Sequence, residues 1–225
     1  MNRMALFFLL VISPALAIGL ALLGLETLRD NMLGWILLCF GVACTGGILI
    51  DYHARRGRHR SVAAGGGRAK ERGDLSFWLL LPGFLTLFFA PPLEWMYHTP
   101  TLPRAMACQV AGVVLFVAGL TLVVWGRLSL GSAHSTRLAV VDGWPLVDAG
   151  PYHVVRHPGL GGLLLMGLSV AIGYSSVIGL AAAAVLVLPA LTYRFRVEER
   201  LLAGLYGEVY AAYARRTRRI VPGLW

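Results

Sequence analysis

Long apolar runs alternate with short polar segments along this chain. The first run extends from Met4 to Leu25 and the second from Met32 to Ile50, and further runs cover Leu75 to about Leu93 and Ala105 to Gly126. A helix rises about 1.5 Å per residue, so roughly 20 apolar residues cross the hydrocarbon layer of a bilayer. Each of these four runs therefore predicts one membrane-spanning helix.

The last apolar region, Gly159 to Tyr193, is too long for a single crossing, because a straight helix of that length would measure about 50 Å. Its middle reads Gly173-Tyr174-Ser175-Ser176, a sequence typical of a turn. We therefore predict a hairpin of two short helices in this region and six crossings in total.

The distribution of basic residues tests this count. They concentrate between the second and third spans, from Arg127 to Arg156, and after the last span, whereas the intervening loops hold only Arg29 and Arg104. Positive-inside bias places the three basic segments in the cytoplasm, which requires an even number of crossings between them. Six crossings meet this requirement and leave both chain termini in the cytoplasm.

Composition supports an all-α, polytopic membrane helical bundle. Of the 225 residues, 57% are apolar and only 14% are charged, whereas an ordinary soluble domain carries roughly a quarter charged residues. The net charge of +9 would suggest nucleic-acid binding in a soluble protein, but topology already explains these charges. We therefore expect the lipid bilayer, and no nucleic acid, as a partner. The prevalence of arginine over lysine is typical of a GC-rich bacterial gene, so we expect a bacterial inner membrane.

Several features are interpreted as having no chemical role. Pro14-Ala15-Leu16-Ala17 resembles a signal-peptide cleavage site, but the apolar run continues to Leu25 and cleavage would leave an odd number of spans. The three cysteines lie inside predicted spans without metal-ligand spacing. His153 and His157 are four residues apart, but prolines flank them and no third ligand is near, so we expect no metal site.

Residues with chemical potential concentrate in the loop that ends Gly150-Pro151-Tyr152-His153-Val154-Val155-Arg156-His157-Pro158. Pro158 lacks an N–H and suits the first turn of a helix, so we expect it to open the fifth span. Arg156 and His157 would then lie at a helix N-terminus, where free amides and the helix dipole favour an anion. The alternative is that Arg156 only marks the cytoplasmic edge of the membrane.

A second polar cluster, from Arg194 to Arg200, follows the sixth span. Arg194 and Glu198 are four residues apart and share one helical face. Because a carboxylate is unfavourable beside anionic lipid, a glutamate here is better explained if it meets a cation. From Leu202 to Tyr213, apolar and aromatic residues recur at helical spacing. They predict a C-terminal amphipathic helix that either lies on the membrane or packs over the loop.

Together the two clusters resemble the isoprenylcysteine carboxyl methyltransferase family and the wider set of membrane phospholipid methyltransferases. The resemblance covers about Arg127 to Trp225, so we divide the chain into N-terminal transmembrane helices, 1–126, and a methyltransferase-like catalytic region, 127–225. The matching residues are Gly150-Pro151-Tyr152, Arg156-His157-Pro158, Arg194, Glu198-Glu199, Leu202, Gly207, Tyr210, Tyr213 and the closing Arg219-Ile220-Val221-Pro222.

The resemblance implies a membrane-embedded methyltransferase that uses S-adenosyl-L-methionine. By position, Arg194 would face the methyl acceptor as the catalytic residue. The cofactor would be lined by Leu146, Val147, Tyr152, His157, Pro158, Gly159, Leu160 and Glu198. This chain departs from the family at Leu160, where a tyrosine is common, and at Trp144, where some relatives have a polar residue.

The acceptor that the resemblance implies is lipophilic, and an isoprenylcysteine-type carboxylate is favoured. A small thiol or a phospholipid amine stays an alternative, since the acceptor pocket would consist of generic apolar helix faces. A NADPH-dependent membrane reductase on a related scaffold is another, although it needs a polar proton donor among the spans. A transporter usually keeps ionisable residues within its spans, and Glu94, near a helix end, is the one candidate here.

Overall fold

The computed structural model describes residues 13–44, 75–97, 102–130 and 146–220. Within these ranges the regular structure is helical, as predicted, with a 3₁₀ turn at Gly150–His153 besides the α-helices, and its one extended pairing is an isolated parallel bridge between Val155 and Arg218. The helices are α1 (Ser13–Thr27), α2 (Met32–Cys44), α3 (Ser76–Tyr97), α4 (Met106–Leu130), α5 (Pro158–Gly173), α6 (Val177–Ala182), α7 (Leu188–Tyr206) and α8 (Glu208–Arg216).

Three helical stretches in the described part of the chain are long and apolar enough to cross a membrane: Trp78–Tyr97, Met106–Leu130 and Val177–Tyr206. Three shorter apolar helices accompany them, Ala15–Thr27, Met32–Cys44 and Pro158–Gly173. The predicted first and second spans extend beyond the described residues, and the arginine-rich segment 55–72 lies wholly outside them. The number of six crossings therefore stays a prediction.

The predicted hairpin is confirmed, with its turn at Tyr174-Ser175-Ser176 between α5 and α6. Ser175 takes the left-handed conformation with a φ of 52°. Ser176 then caps α6, because its hydroxyl accepts a hydrogen bond from the Gly179 amide at 2.8 Å. The tight reversal is therefore encoded locally by small polar residues.

The second arm of the hairpin is much longer than the short helix that we predicted. A π-helical segment, Ala183–Val187, joins α6 to α7 in one continuous helix, Val177–Tyr206. The wider π turn lies just before Pro189, whose ring would clash with the carbonyl four residues earlier in a regular α-helix. The helix then continues through Arg194 to Glu199 and ends only at Gly207, where φ is +51°.

Helices α4 and α5 pack closely because glycines face each other across their contact. A Cβ atom on Gly119 would lie 2.6 Å from the Gly162 carbonyl oxygen, and a Cβ on Gly162 would lie 2.5 Å from the Gly119 carbonyl oxygen. Such backbone proximity is typical of membrane helices, whose association depends on small residues at the interface. This packing fixes the position of α5, whose first residues belong to the candidate site.

Polar side chains hold the hairpin turn against the other helices. The Thr27 and Tyr174 hydroxyls lie 2.7 Å apart, and the Asn31 amide donates to the Gly173 carbonyl at 2.9 Å. Glu94, which is 8% exposed, accepts hydrogen bonds from the Ser176 hydroxyl and from the Ile178 amide. Glu94 therefore caps the N-terminus of α6, which accounts for a buried carboxylate in this position without a transport function.

Candidate active site

The chain segment that follows α8 pairs with the loop that precedes α5. Arg218 N donates to the Val154 carbonyl at 3.1 Å, Arg156 N donates to the Arg218 carbonyl at 2.7 Å, and His157 N donates to the Arg219 carbonyl at 3.0 Å. These bonds bring the loop before α5 and the segment after α8 together. With the contact between Tyr213 and the Tyr152 carbonyl, they show that the C-terminal helix packs over the loop.

Helix α8 covers the loop with its aromatic face. Tyr210 and Tyr213 are both 4% exposed, and the Tyr213 hydroxyl donates to the Tyr152 carbonyl at 2.8 Å. Burial, and then the negative charge of Asp148, raise the pKa of Tyr213 to about 12. An ion pair between Arg216 and Asp148 closes the outer edge of this contact.

Arg156 is a structural centre of the site and not only a marker of the membrane edge. Its Nε atom donates to Glu199 Oε1 at 3.0 Å, and its Nη1 atom donates to the carbonyls of Ala214 and Thr217 at 2.8 and 2.7 Å. Arg219 Nη2 donates to the other carboxylate oxygen of Glu199 at 2.8 Å. Two guanidinium groups therefore hold Glu199 in one orientation.

His157 is buried between the two adjacent glutamates of α7. The side chain is 3% exposed, and its ring stacks on Phe195 with centroids 4.4 Å apart and an interplanar angle of 25°. Its Nδ1 atom lies 3.7 Å from Glu198 Oε2 and its Nε2 atom lies 3.7 Å from Glu199 Oε1. Both distances exceed a hydrogen bond, and Nε2 has no hydrogen-bond partner among the described residues.

Arg194 and Glu198 meet beside this histidine, as their spacing predicts. Arg194 Nε lies 3.6 Å from Glu198 Oε2, and the arginine side chain is 11% exposed. The Glu198 side chain is 29% exposed, compared with 16% for Glu199. Glu198 is therefore the more accessible of the two carboxylates.

Pro158 begins α5, as predicted, and His157 occupies the N-cap position without a side-chain cap. The amides of Gly159 and Leu160 belong to the first helical turn, which has no intrahelical acceptor for them. A Cβ atom built on Gly159 would meet no described atom within 4 Å, whereas Leu160 packs against the apolar cluster around Phe195. Among the described residues, the start of α5 is therefore open on its Gly159 side.

The remaining predicted residues lie at the beginning of this loop. Leu146, Val147 and Tyr152 are each partly buried, and their place beside a cofactor stays a prediction. Trp144 lies outside the described residues. Sequence reasoning assigned no contacts to Glu199, Arg219 or Tyr210, although all three belong to the motifs of the resemblance. The partners of Glu199 and Arg219 come from distant segments, and the burial of Tyr210 depends on tertiary packing, so no local pattern could reveal these roles.

Residues 107–209 match the phospholipid methyltransferase family. The matched region begins in α4, includes the loop and the helical hairpin, and ends in the first turn of α8. It therefore contains Arg156, His157, Arg194, Glu198 and Glu199. No curated protein matches the chain significantly.

Proposed function

Because residues 107–209 belong to the phospholipid methyltransferase family of integral membrane methyltransferases, we propose that this protein uses S-adenosylmethionine as its methyl donor. The proposed site lies where the N-terminus of α5, the end of α7 and helix α8 meet. The apolar helices of membrane-spanning length agree with the membrane location of the family.

The observation that carries this proposal is the set of groups around His157. S-adenosylmethionine presents a carboxylate and an ammonium group beside its sulfonium. The free amides at the start of α5 suit the carboxylate, because a helix N-terminus favours an anion. Glu198 suits the ammonium group, and the buried Nε2 atom of His157 offers a further hydrogen bond.

The different surroundings of the two glutamates support Glu198 as the cofactor ligand. Two arginines already hold Glu199 through hydrogen bonds of 2.8 to 3.2 Å. The distances from Glu198 to Arg194 Nε and to His157 Nδ1 are 3.6 and 3.7 Å, which leaves its oxygens less constrained. Glu199 would then hold Arg156 and Arg219 in position, and Glu198 would bind the ammonium group of the cofactor.

When bound, S-adenosylmethionine supplies an electrophilic methyl group. Arg194 is a mostly buried cation beside Glu198, so it can orient an anionic acceptor. Such an acceptor needs no strong general base, because a carboxylate or thiolate is already a nucleophile. The cover of α8 over the loop would keep water out of the site.

We assign the remaining residues of the motif to the cofactor site on the family resemblance. They are Leu146, Val147, Tyr152, Pro158, Gly159 and Leu160. The acceptor would come sideways from the bilayer and the cofactor from the cytoplasm, with both termini on the cytoplasmic side of a bacterial inner membrane. An isoprenylcysteine-type carboxylate is the acceptor that we propose.

A phospholipid amine is the second candidate acceptor, since the matched family takes its description from phospholipids. The positive charge of Arg194 disfavours an amine and favours a carboxylate. Transfer of a labelled methyl group to a prenylated cysteine analogue, to phosphatidylethanolamine and to a small thiol distinguishes the three. Methylation of phosphatidylethanolamine alone would replace the carboxylate proposal.

Calorimetric titration of the detergent-purified protein with S-adenosylmethionine tests the cofactor. We expect saturable binding that Glu198→Gln weakens by about tenfold or more, because a charge-assisted hydrogen bond is lost. Glu208→Gln, which changes an exposed glutamate in the first turn of α8, is the matched control and should bind normally. Binding of NADPH in place of S-adenosylmethionine would move the protein to the membrane reductases.

A further inference from the structure

Tyr210 buries a hydroxyl group that no described residue satisfies. The residue is 4% exposed, and its Oη atom has no hydrogen-bond partner among the described groups. The neighbouring Tyr213, with its ring centroid 6.0 Å away, does bond the Tyr152 carbonyl. Folded proteins leave few buried polar atoms unpaired, so an orphan hydroxyl on the face that covers the site needs an explanation.

This hydroxyl belongs to the same cluster of charges as His157. Burial, and then the negative charge of Glu199, raise the pKa of Tyr210, so the phenol keeps its proton and is a hydrogen-bond donor. Glu199 Oε1 also lies 3.7 Å from the Nε2 atom of His157, another buried polar atom without a hydrogen-bond partner among the described residues. Two side chains on different elements therefore leave unpaired polar atoms around one carboxylate.

The end of α8 contacts Arg156. The carbonyls of Ala214 and Thr217, four and seven residues after Tyr210, accept hydrogen bonds from Arg156 Nη1, and the charge of Arg156 also acts on the Tyr210 hydroxyl. Arg156 in turn directly precedes His157 and the open first turn of α5. A ligand group held at that turn would bring a further acceptor to the cluster that contains this unpaired phenol.

On the basis of the proposed function, we propose that the Tyr210 hydroxyl is a binding group of this site and donates a hydrogen bond to the carboxylate of S-adenosylmethionine. A phenol donor suits the anionic oxygens of the carboxylate, and the free amides at the start of α5 favour the same group. The proposal also explains why α8 carries a tyrosine at a buried position where phenylalanine would fill the same space.

The test compares Tyr210→Phe with the unchanged protein in titrations with S-adenosylmethionine and with its decarboxylated form. The second compound keeps the sulfonium and the amine and lacks only the carboxylate. We expect the substitution to weaken binding of S-adenosylmethionine by about tenfold and to leave binding of the decarboxylated compound unchanged. Tyr193→Phe, which alters a phenol that is 42% exposed on α7, is the control and should change neither affinity.

Thermal unfolding of the ligand-free protein separates binding from folding. Tyr210→Phe should unfold at the same temperature as the unchanged protein or a higher one, because it removes an unpaired buried hydroxyl. A lower unfolding temperature, an unchanged affinity for S-adenosylmethionine, or an equal loss for both compounds would each overturn the proposal. If the unchanged protein binds neither compound, the proposed cofactor itself is wrong and the role of Tyr210 falls with it.

Discussion

Arg156 and Glu199 are 43 residues apart in sequence, and Arg156 Nε lies 3.0 Å from Glu199 Oε1. The Nη2 atom of the same arginine lies 3.0 Å from the same oxygen, and its Nη1 atom bonds two carbonyls at the end of α8. One side chain therefore joins the loop, α7 and α8. Because the two side chains are only 12% and 16% exposed, solvent screens this pair far less than an ion pair on the surface.

Replacement of Arg156 by lysine should loosen this junction. Lysine keeps the charge, but it lacks the planar fork that reaches both the carboxylate and the two carbonyls. We expect the free energy of unfolding to fall by about 2–3 kcal/mol. Amide hydrogen exchange should accelerate at residues 154–157 and 217–219. Arg200→Lys, at an exposed position of α7, serves as the control, and equal exchange in the two variants would argue against the junction.

Replacement of Gly119 by alanine should separate α4 from α5. The new methyl group would lie 2.6 Å from the Gly162 carbonyl oxygen and 2.8 Å from Met166 Cγ, so the two backbones must move apart. We expect a loss of about 1–3 kcal/mol in thermal or denaturant unfolding in detergent.

Gly204→Ala is the matched control for this substitution and should raise stability where Gly119→Ala lowers it. A Cβ atom at Gly204 would meet no described atom within 4 Å, so alanine at this position in α7 should stabilise the helix by about 0.5–1 kcal/mol. Equal effects of the two substitutions would show that close packing at Gly119 does not limit stability.

Alkaline pH should release α8 from the loop. The pKa of Tyr213 is raised from 10.0 to about 12, so the folded state favours the protonated phenol more than the unfolded state does. The stability from this group is therefore complete below pH 10 and is lost as the pH rises towards about 12. Hydrogen exchange in α8 should accelerate across this interval. Tyr213→Phe should show a smaller change, and an equal change would assign the effect to other groups.

Replacement of Ser176 by alanine should destabilise the hairpin turn without affecting the candidate site. The serine caps α6 and donates to Glu94, and loss of such a cap costs about 1–2 kcal/mol. Affinity for S-adenosylmethionine should stay the same, because α5 separates the turn from the site by 16 residues, about 24 Å. Thr121→Ala is the control, because it also removes one hydroxyl group, at an exposed position on α4. If Ser176→Ala also lost affinity for S-adenosylmethionine, the hairpin turn and the candidate site, at opposite ends of α5, would not be independent.

Local features of the sequence predicted the helical class, the hairpin turn and the beginning of α5. Each depends on a property of one short segment: the length of an apolar run, the Gly-Tyr-Ser-Ser turn, and the missing N–H of Pro158. The predicted length of the second hairpin arm was wrong, because the end of an apolar run is not the end of a helix. Polar residues after the span continue the same helix until Gly207 permits a positive φ.

The sequence by itself determined that the chain is an apolar helical protein, and it placed arginine, histidine and glutamate near the ends of predicted helices. Only the tertiary structure decided which of two adjacent glutamates is held by arginines. Successive residues on a helix point about 100° apart. Where α7 packs against the loop and α8, Glu199 therefore contacts Arg156 and Arg219, whereas Glu198 points in another direction and is more exposed. The sequence also could not show that the Tyr210 hydroxyl is buried without a partner, because burial and hydrogen bonding depend on segments that meet only after folding.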